Sequence, residues 1–449
     1  MTISRKDVAW SYVATFFRYG FSLLTIPLVA AHLTSDEMGV WIVFQVFYSL
    51  LLLLDLGMSQ SITRSIAFAW SGAQEITKQG VVLAEDKSGS QRPNERLITE
   101  VFAFSDNFFK KIGKYGTLVM ASGGSYYLYH ITKEAANLNL GSVFISWFLY
   151  LGYLFLTLRY NHYAPSLIGI GDIAYTQRVQ AIAKILSLAS MYVLVINTKL
   201  SLIGVGAALL AGGIFERLSL FARLRRHRSF FFISKGYSKE TARRLMPNAI
   251  RLGVVSLCAF LINQTVTIVI SFKSLSGTGS YGLSIQAFSA LAGLAAVVFR
   301  SNIPRFSALQ IRDDVGGIRH TFTCSMIAFV GVYALGSLFI VLAGSRALEM
   351  LGSATRLLPM WMMLILGIMV FLENNHGLSA TLLSTRNEVP FFVPSIVSGI
   401  TMVLVVVVSQ LALRSGLLGL VIGQMAVQLA YNNWKWPLEV FRQYYRGRE

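Results

Sequence analysis

Long stretches of the chain carry hydrophobic residues at nearly every position. Twelve such windows recur, over residues 8–30, 38–58, 113–131, 140–160, 179–196, 202–221, 249–272, 281–299, 321–343, 357–373, 391–411 and 417–436. Apolar windows of roughly 17–25 residues are long enough to cross a hydrocarbon layer of about 30 Å as helices. Polar residues are concentrated in the connections. The pattern predicts an all-α polytopic membrane protein with about 12 transmembrane helices.

Composition supports that solvent. Of 449 residues, 54% are hydrophobic and 13% charged, where a soluble domain carries about a quarter charged residues. The net charge of +18 matters less than its placement. With the N-terminus in the cytoplasm, only Lys133, Lys199, Lys273, Arg346, Arg356 and Arg414 of the 39 Lys and Arg residues fall on outer connections, and only Arg18 and Arg217 inside helices. This is the positive-inside bias, and it predicts both termini on the cytoplasmic side. The charge orients the chain and attracts anionic membrane lipids; it does not point to nucleic acid.

Several function classes lack their parts. The longest outer connection runs only over about 344–356, leaving no outer domain to carry catalytic groups. No phosphate-cradling G-x-x-x-x-G-K-[ST] loop occurs, and Gly204, Gly206, Gly212 and Gly213 suit close helix packing instead. Cys258 and Cys324 each lie within a predicted helix, and no His or paired-Cys spacing suggests a metal. No enzymatic activity, metal or cofactor is expected. Arg5 and Lys6 precede an apolar stretch that is too long for a signal-peptide core, so it reads as an uncleaved first helix.

Residues 72–94, with "EDKSGSQRPNER", form a polar insertion. Leu97, Val101, Phe104, Phe108 and Ile112 follow at helical spacing beside Lys110, Lys111 and Lys114. They fit either an interfacial helix or a cytoplasmic extension of the third span. A charged segment with "RLRRHR" sits at the midpoint of the chain. These features divide the chain into a first six-helix lobe over 1–222, with the insertion at about 72–112, a linker over 223–248 and a second lobe over 249–449.

The two halves share a pattern. Gly39 and Gly282 open the second helix of each, and Ile62, Arg64, Ala67 and Ile303, Arg305, Ala308 close them as Ile-x-Arg-x-x-Ala. The Gly-to-Arg spacing is 25 residues in one half and 23 in the other. Parallel six-helix repeats are a transporter plan, with the path between pseudo-symmetric lobes around a central cavity.

"LTSDEMGVWIVFQVFYSLLLLLDLGMSQSITRSIA" resembles the N-terminal signature of polysaccharide exporters, and "STRNEVPFFVPSIVSGI" and "NNWKWPLEVFRQ" resemble O-antigen unit flippases. The likeness covers essentially the whole chain, and these flippases belong to the superfamily of multidrug, oligosaccharidyl-lipid and polysaccharide exporters. It implies translocation of an undecaprenyl-diphosphate-linked oligosaccharide across the bacterial inner membrane, coupled to an ion gradient or the membrane potential. It also implies a partnership with the polysaccharide polymerase machinery. The polar insertion after the second helix is longer than that pattern expects.

A diphosphate crosses hydrocarbon only through a wet cavity that supplies fixed cations, and Arg offers bidentate hydrogen bonds to its oxygens. Arg18, ten residues into the first window and about 15 Å deep, is the leading candidate. A lipid-facing Arg there would cost at least about 2.5 kcal/mol, so it faces either the cavity or an acidic packing partner. Lipid II flippases likewise carry an Arg after Phe in their first helix, here Phe16-Phe17-Arg18. Asp55, Glu216, Arg217, Arg300 and Glu373 lie near the cytoplasmic ends of even helices. They suit a gate, with Asp55 and Glu373 as ion-coupling sites and Arg300 also as substrate ligand, or else snorkelling interfacial charges. Asn263 and Gln264 suit sugar hydroxyls or interhelical glue. His376, beside Asn374 and Asn375, reads as a loop residue, and Arg64 and Arg305 as topological locks. A drug or cation antiporter of the same superfamily would share the architecture but favour central acids over arginine. A membrane scaffold would need no buried charge.

Overall fold

A computed structural model describes residues 21, 24–72, 75–76, 81–82, 93–135, 138–227, 231, 236, 239–385, 391–411 and 416–446. The protein is all-helical apart from two two-residue strands, β1 (Glu75–Ile76) and β2 (Val81–Val82), which pair antiparallel within the insertion. Arg18 and most of the first window lie outside the described residues, although 24–32 are helical. Among the described residues, eight helices are long and apolar enough to cross a membrane. The protein is a multi-pass membrane protein.

Helix α1 (Ser35–Leu54) starts on a reciprocal cap. Thr34 N donates to Glu37 Oε2 at 3.0 Å, and Glu37 N donates to Thr34 Oγ1 at 3.2 Å, so two orphaned N–H groups are satisfied together. The predicted span 38–58 does not run through. The chain breaks at Asp55, Leu56 and Gly57, the last two with φ of 50° and 67°, and restarts as α2 (Met58–Trp70). Glycine suits that left-handed turn, and leucine is strained in it.

After the insertion, α3 (Glu95–Val119) passes through a π turn over Met120–Gly124 into α4 (Ser125–Thr132). The segment over 95–112 is therefore an extension of the third span rather than a separate interfacial helix. Its apolar stripe buries Ile98, Val101, Phe102, Phe104 and Phe109, while Lys110, Lys111 and Lys114 are exposed. Next come α5 (Leu140–Arg159), α6 (Tyr163–Gly169), α7 (Ile173–Tyr192), with a closing π turn, and α8 (Ser201–Arg226).

The second half holds α9 (Lys239–Ser271), α10 (Leu275–Ala295), α11 (Val297–Ser301) and α12 (Ile303–Ile311). It continues with α13 (Val315–Met350), α14 (Met360–Ser384), α15 (Phe392–Leu411), α16 (Gly416–Ala430) and α17 (Asn432–Tyr444). Windows 281–299 and 417–436, like 38–58, are broken near their predicted inner ends. Helix α9 begins within the predicted linker.

The chain forms two compact units. One holds Phe47–His130 and Asn139–Ser256; the other holds the described residues before Phe47, Ile131–Leu138 and Leu257–Glu449. In the first, Phe47 packs on Trp147 with ring centroids 4.7 Å apart, and Tyr48 stacks on Tyr153 at 6.2 Å. In the second, a core of Phe288, Phe299, Phe306, Phe329 and Leu366 is fully buried.

That second unit contains the two glycines of the sequence repeat. A Cβ on Gly39 would sit 2.1 Å from the Leu275 carbonyl oxygen, and one on Gly282 would sit 2.4 Å from Ile42 Cγ2. At this crossing the N-terminal part of α1 meets α10 at backbone distance. Gly39→Val is expected to cost about 1–3 kcal/mol or more from overpacking and to lower the thermal midpoint in detergent. Gly123→Ala, where an added Cβ meets nothing within 4 Å, should leave the midpoint unchanged.

Candidate functional site

In the first unit, polar side chains gather where the helices end or break. Asp55 accepts from Ser59 Oγ at 2.6 Å and from Asn161 Nδ2 at 2.7 Å, and Ser59 N lies 3.3 Å away. Asp55 thus supplies the first turn of α2 with the acceptor that the helix break removes. Asn161 comes from the turn between α5 and α6, so the bond ties two helix ends together. Arg159, the last residue of α5, donates from its Nη1 to Asp106 Oδ1 of α3 at 2.8 Å. His162 lies fully buried beside Phe102, Phe109 and Tyr163. Its Nε2 is 3.4 Å from Asp106 Oδ1 but off-line, and neither ring nitrogen has a hydrogen-bond partner.

Helix α8 carries Glu216 and Arg217, with Arg217 Nη1 3.5 Å from Glu216 Oε1. Arg217 is 8% exposed. At the far end of α8, Arg223 Nη2 donates to Asp172 Oδ1 at 3.2 Å, which brings the start of α7 and the end of α8 together.

In the second unit, Glu373 of α14 accepts from Gln424 Nε2 of α16 at 3.3 Å. Gln424 is fully buried, and its Oε1 has no hydrogen-bond partner; nor has the hydroxyl of the fully buried Tyr281, within electrostatic reach of Glu373. His376 is a helix residue, not a loop residue, and its Nδ1 lies 2.7 Å from Asn433 Oδ1. Asn432, just past the break at Tyr431, donates to Ser398 Oγ and to Gln428 Oε1, each at 2.9 Å.

The remaining sequence candidates are spread out. Asn263 is exposed and donates to the Ala259 carbonyl of its own helix at 2.9 Å. Gln264 is half-buried on α9, and Arg300 is exposed on α11. Arg64 on α2 and Arg305 on α12 are both exposed, just beyond the two helix breaks. Among the described residues no group of His, Cys, Asp and Glu could hold a metal ion. Sequence reasoning missed Asn161, Gln424 and Tyr281. Gln424 and Gln428 in the last apolar window, spaced by one helical turn, were the available signal for the amide face.

The fold defines a class. The chain has the fold of MATE-type transporters of the MOP superfamily. It is similar to an inward-facing multidrug resistance MATE family transporter, with a TM-score of 0.66 at 13% identity, covering 94% of this chain and 95% of that one. A MATE in complex with MaL6 aligns with a TM-score of 0.60 at 12% identity, covering 97% and 96%. A MOP superfamily transporter from Pyrococcus furiosus, described as having a binding pocket of reversed polarity that suggests a different function, aligns at 0.57 and 13%, covering 97% and 95%. The sequence matches no protein-family model and no curated protein.

Asp55→Ala is expected to lower stability by about 1–3 kcal/mol, because it leaves the half-buried donors of Ser59 and Asn161 unpaired. Asp55→Asn should retain part of that loss, since its amide oxygen still accepts. Thermal unfolding of Asp55→Ala, Asn161→Ala and the double variant checks this, with a coupling of at least about 0.5 kcal/mol expected from the direct contact.

Proposed function

We propose that the protein is an alternating-access transporter that moves a lipid-linked oligosaccharide, anchored on undecaprenyl diphosphate, from the cytoplasmic to the outer leaflet of the bacterial inner membrane. The observation that carries this reading is the buried arginine Arg217 within a transporter fold. A fixed cation in apolar surroundings suits an anionic cargo. Arg18, at mid-depth of the first window, is assigned by its sequence position to the diphosphate, with Arg300 near the inner mouth. Asn263 and Gln264 are assigned to sugar hydroxyls, and the lobes over 1–222 and 249–449 to the two moving halves. Asp55, Glu216 and Arg217 are assigned to the inner gate. Glu373, held by an amide rather than a cation, is assigned to coupling with an ion gradient. Its carboxylate can take up a proton or a monovalent cation, with Gln424 Oε1 and the Tyr281 hydroxyl as neighbouring oxygens.

A second reading is favoured by that same acid. A drug or cation antiporter would use Glu373 as the alternate site for cargo and coupling ion, and the multidrug transporters of this fold support it at least as well.

Reconstitution into proteoliposomes separates the two. The flippase reading expects uptake of a defined undecaprenyl-diphosphate oligosaccharide, abolished by Arg18→Ala and partly retained by Arg18→Lys. Glu373→Gln should remove the dependence on an imposed ion gradient while leaving cargo binding in place. Movement of a cationic drug alone would establish the antiporter reading, and normal flipping by both Arg18 variants would remove Arg18 from the site.

A further inference from the structure

Helix α17 has two faces. Asn432, Asn433, Trp436, Val440 and Tyr444 are buried, while Trp434 and Phe441 are about half exposed, with Leu438 exposed between them. Tyr445 continues that exposed stripe, its ring stacked on Phe441 with centroids 5.7 Å apart. A helix face turned to water carries polar residues, and this one is apolar and aromatic. It follows the exposed Ile422, Leu429 and Tyr431 of the preceding segment. Helix α16 has 15 residues, about 22 Å at the helical rise and short of a hydrocarbon layer of about 30 Å. The first turns of α17 complete the crossing, and its stripe reaches the lipid boundary, a depth that Trp and Tyr favour.

Cations collect at the end of α17, and one of them is fixed from a second helix. Tyr444 is fully buried, and its hydroxyl accepts from Gln310 Nε2 of α12. Arg319, the fifth residue of α13, donates from Nε to the Tyr444 carbonyl at 3.0 Å, and its guanidinium lies over the Tyr445 ring, 5.2 Å from the centroid. The Tyr445 hydroxyl returns to α13, donating to the Arg319 carbonyl at 3.3 Å and pairing with Thr323 Oγ1. These bonds hold Arg319 in place yet occupy only its Nε; among the described residues its two Nη groups have no hydrogen bond or ion pair. Arg442 and Arg446, one turn apart beside Tyr445, are exposed. The one acid of α17, Glu439, is taken by Lys435 at 3.2 Å and by Gln443 at 2.9 Å. Asp314 caps α13 through Gly317 N at 2.8 Å, and Asp313 beside it is also engaged. From Ile327 to Leu342 the exposed side chains of α13 are all apolar.

We propose that Arg319, Arg442 and Arg446 form a binding site for the headgroup phosphate of an anionic phospholipid, whose acyl chains lie on the exposed stripe of α17 and the apolar face of α13. Guanidinium N–H groups match phosphate oxygens in geometry and charge, and basic clusters at the ends of spanning helices recognise anionic headgroups. Like charges one turn apart are mutually unfavourable, and a shared phosphate relieves the Arg442–Arg446 repulsion. The bound lipid bridges α13 and α17 and clamps the last helix onto its unit. The site asks nothing of the cargo.

The test places the full chain in phosphatidylcholine nanodiscs that carry either brominated phosphatidylglycerol or brominated phosphatidylcholine at equal mole fraction. Quenching of Trp434 is read as the difference between the native protein and Trp434→Phe. Brominated phosphatidylglycerol should bind at least about fivefold more tightly than brominated phosphatidylcholine, the contribution of one basic contact. Arg442→Gln with Arg446→Gln leaves the Arg319–Tyr444 bond intact, so it should keep the native thermal midpoint while losing more than half of that preference. Arg442→Lys with Arg446→Lys should retain it, and adding Arg319→Gln to the double Gln variant should abolish it. Equal quenching by the two lipids in the native protein, or an unchanged preference in the triple variant, would overturn the site. Absence of Trp434 quenching by either lipid would overturn it too, because the stripe is then covered by protein, such as a second copy of the chain.

Discussion

Hydrocarbon offers no water to a backbone group that loses its partner, so a membrane helix that breaks must be repaired by other protein groups. This protein breaks its helices repeatedly and repairs them with short polar side chains. At Asp55–Gly57 the carboxylate turns back to cap α2 and holds Asn161 from another helix end. At Tyr431, Asn432 joins Gln428 and Ser398, and Trp436 Nε1 donates to Asn432 Oδ1. Each repair also fixes the direction in which the chain leaves the break. Arg64 and Arg305 lie exposed on the short helices that follow the breaks.

The buried charges follow different rules in the two units. In the first, Asp106, Asp172 and Glu216 each face an arginine. In the second, Glu373 has an amide neighbour instead. An arginine holds its charge at any relevant pH, whereas a carboxylate beside neutral groups can exchange its proton or cation.

Hydropathy made the spans legible because a bilayer imposes length and apolarity together. Windows 140–160 and 391–411 match α5 and α15 almost to the residue. It was blind where a helix continues beyond the apolar window, as α3 does from Glu95 and α9 from Lys239. It also missed the breaks, since Asp55 or Tyr431 inside an apolar run leaves the average almost unchanged. The candidate site was legible only as charge. Arg217 and Glu373 stood out from their surroundings, while Gln424 and Tyr281, the neutral groups near Glu373, are ordinary residues for a membrane helix. The Gly39–Gly282 repeat was read as symmetry in sequence, and its physical basis is that both glycines sit in one close helix crossing.

Helix α13 is an unbroken rod of 36 residues, about 54 Å long, and most of its apolar stretch is exposed, including Leu335, Leu338, Phe339 and Leu342. A bilayer with its headgroups is about 40–45 Å thick. Standing along the bilayer normal, a helix of that length would exceed the full thickness of the layer. A helix longer than the layer it crosses is coupled to the thickness of that layer through hydrophobic mismatch, whatever the rest of the molecule does.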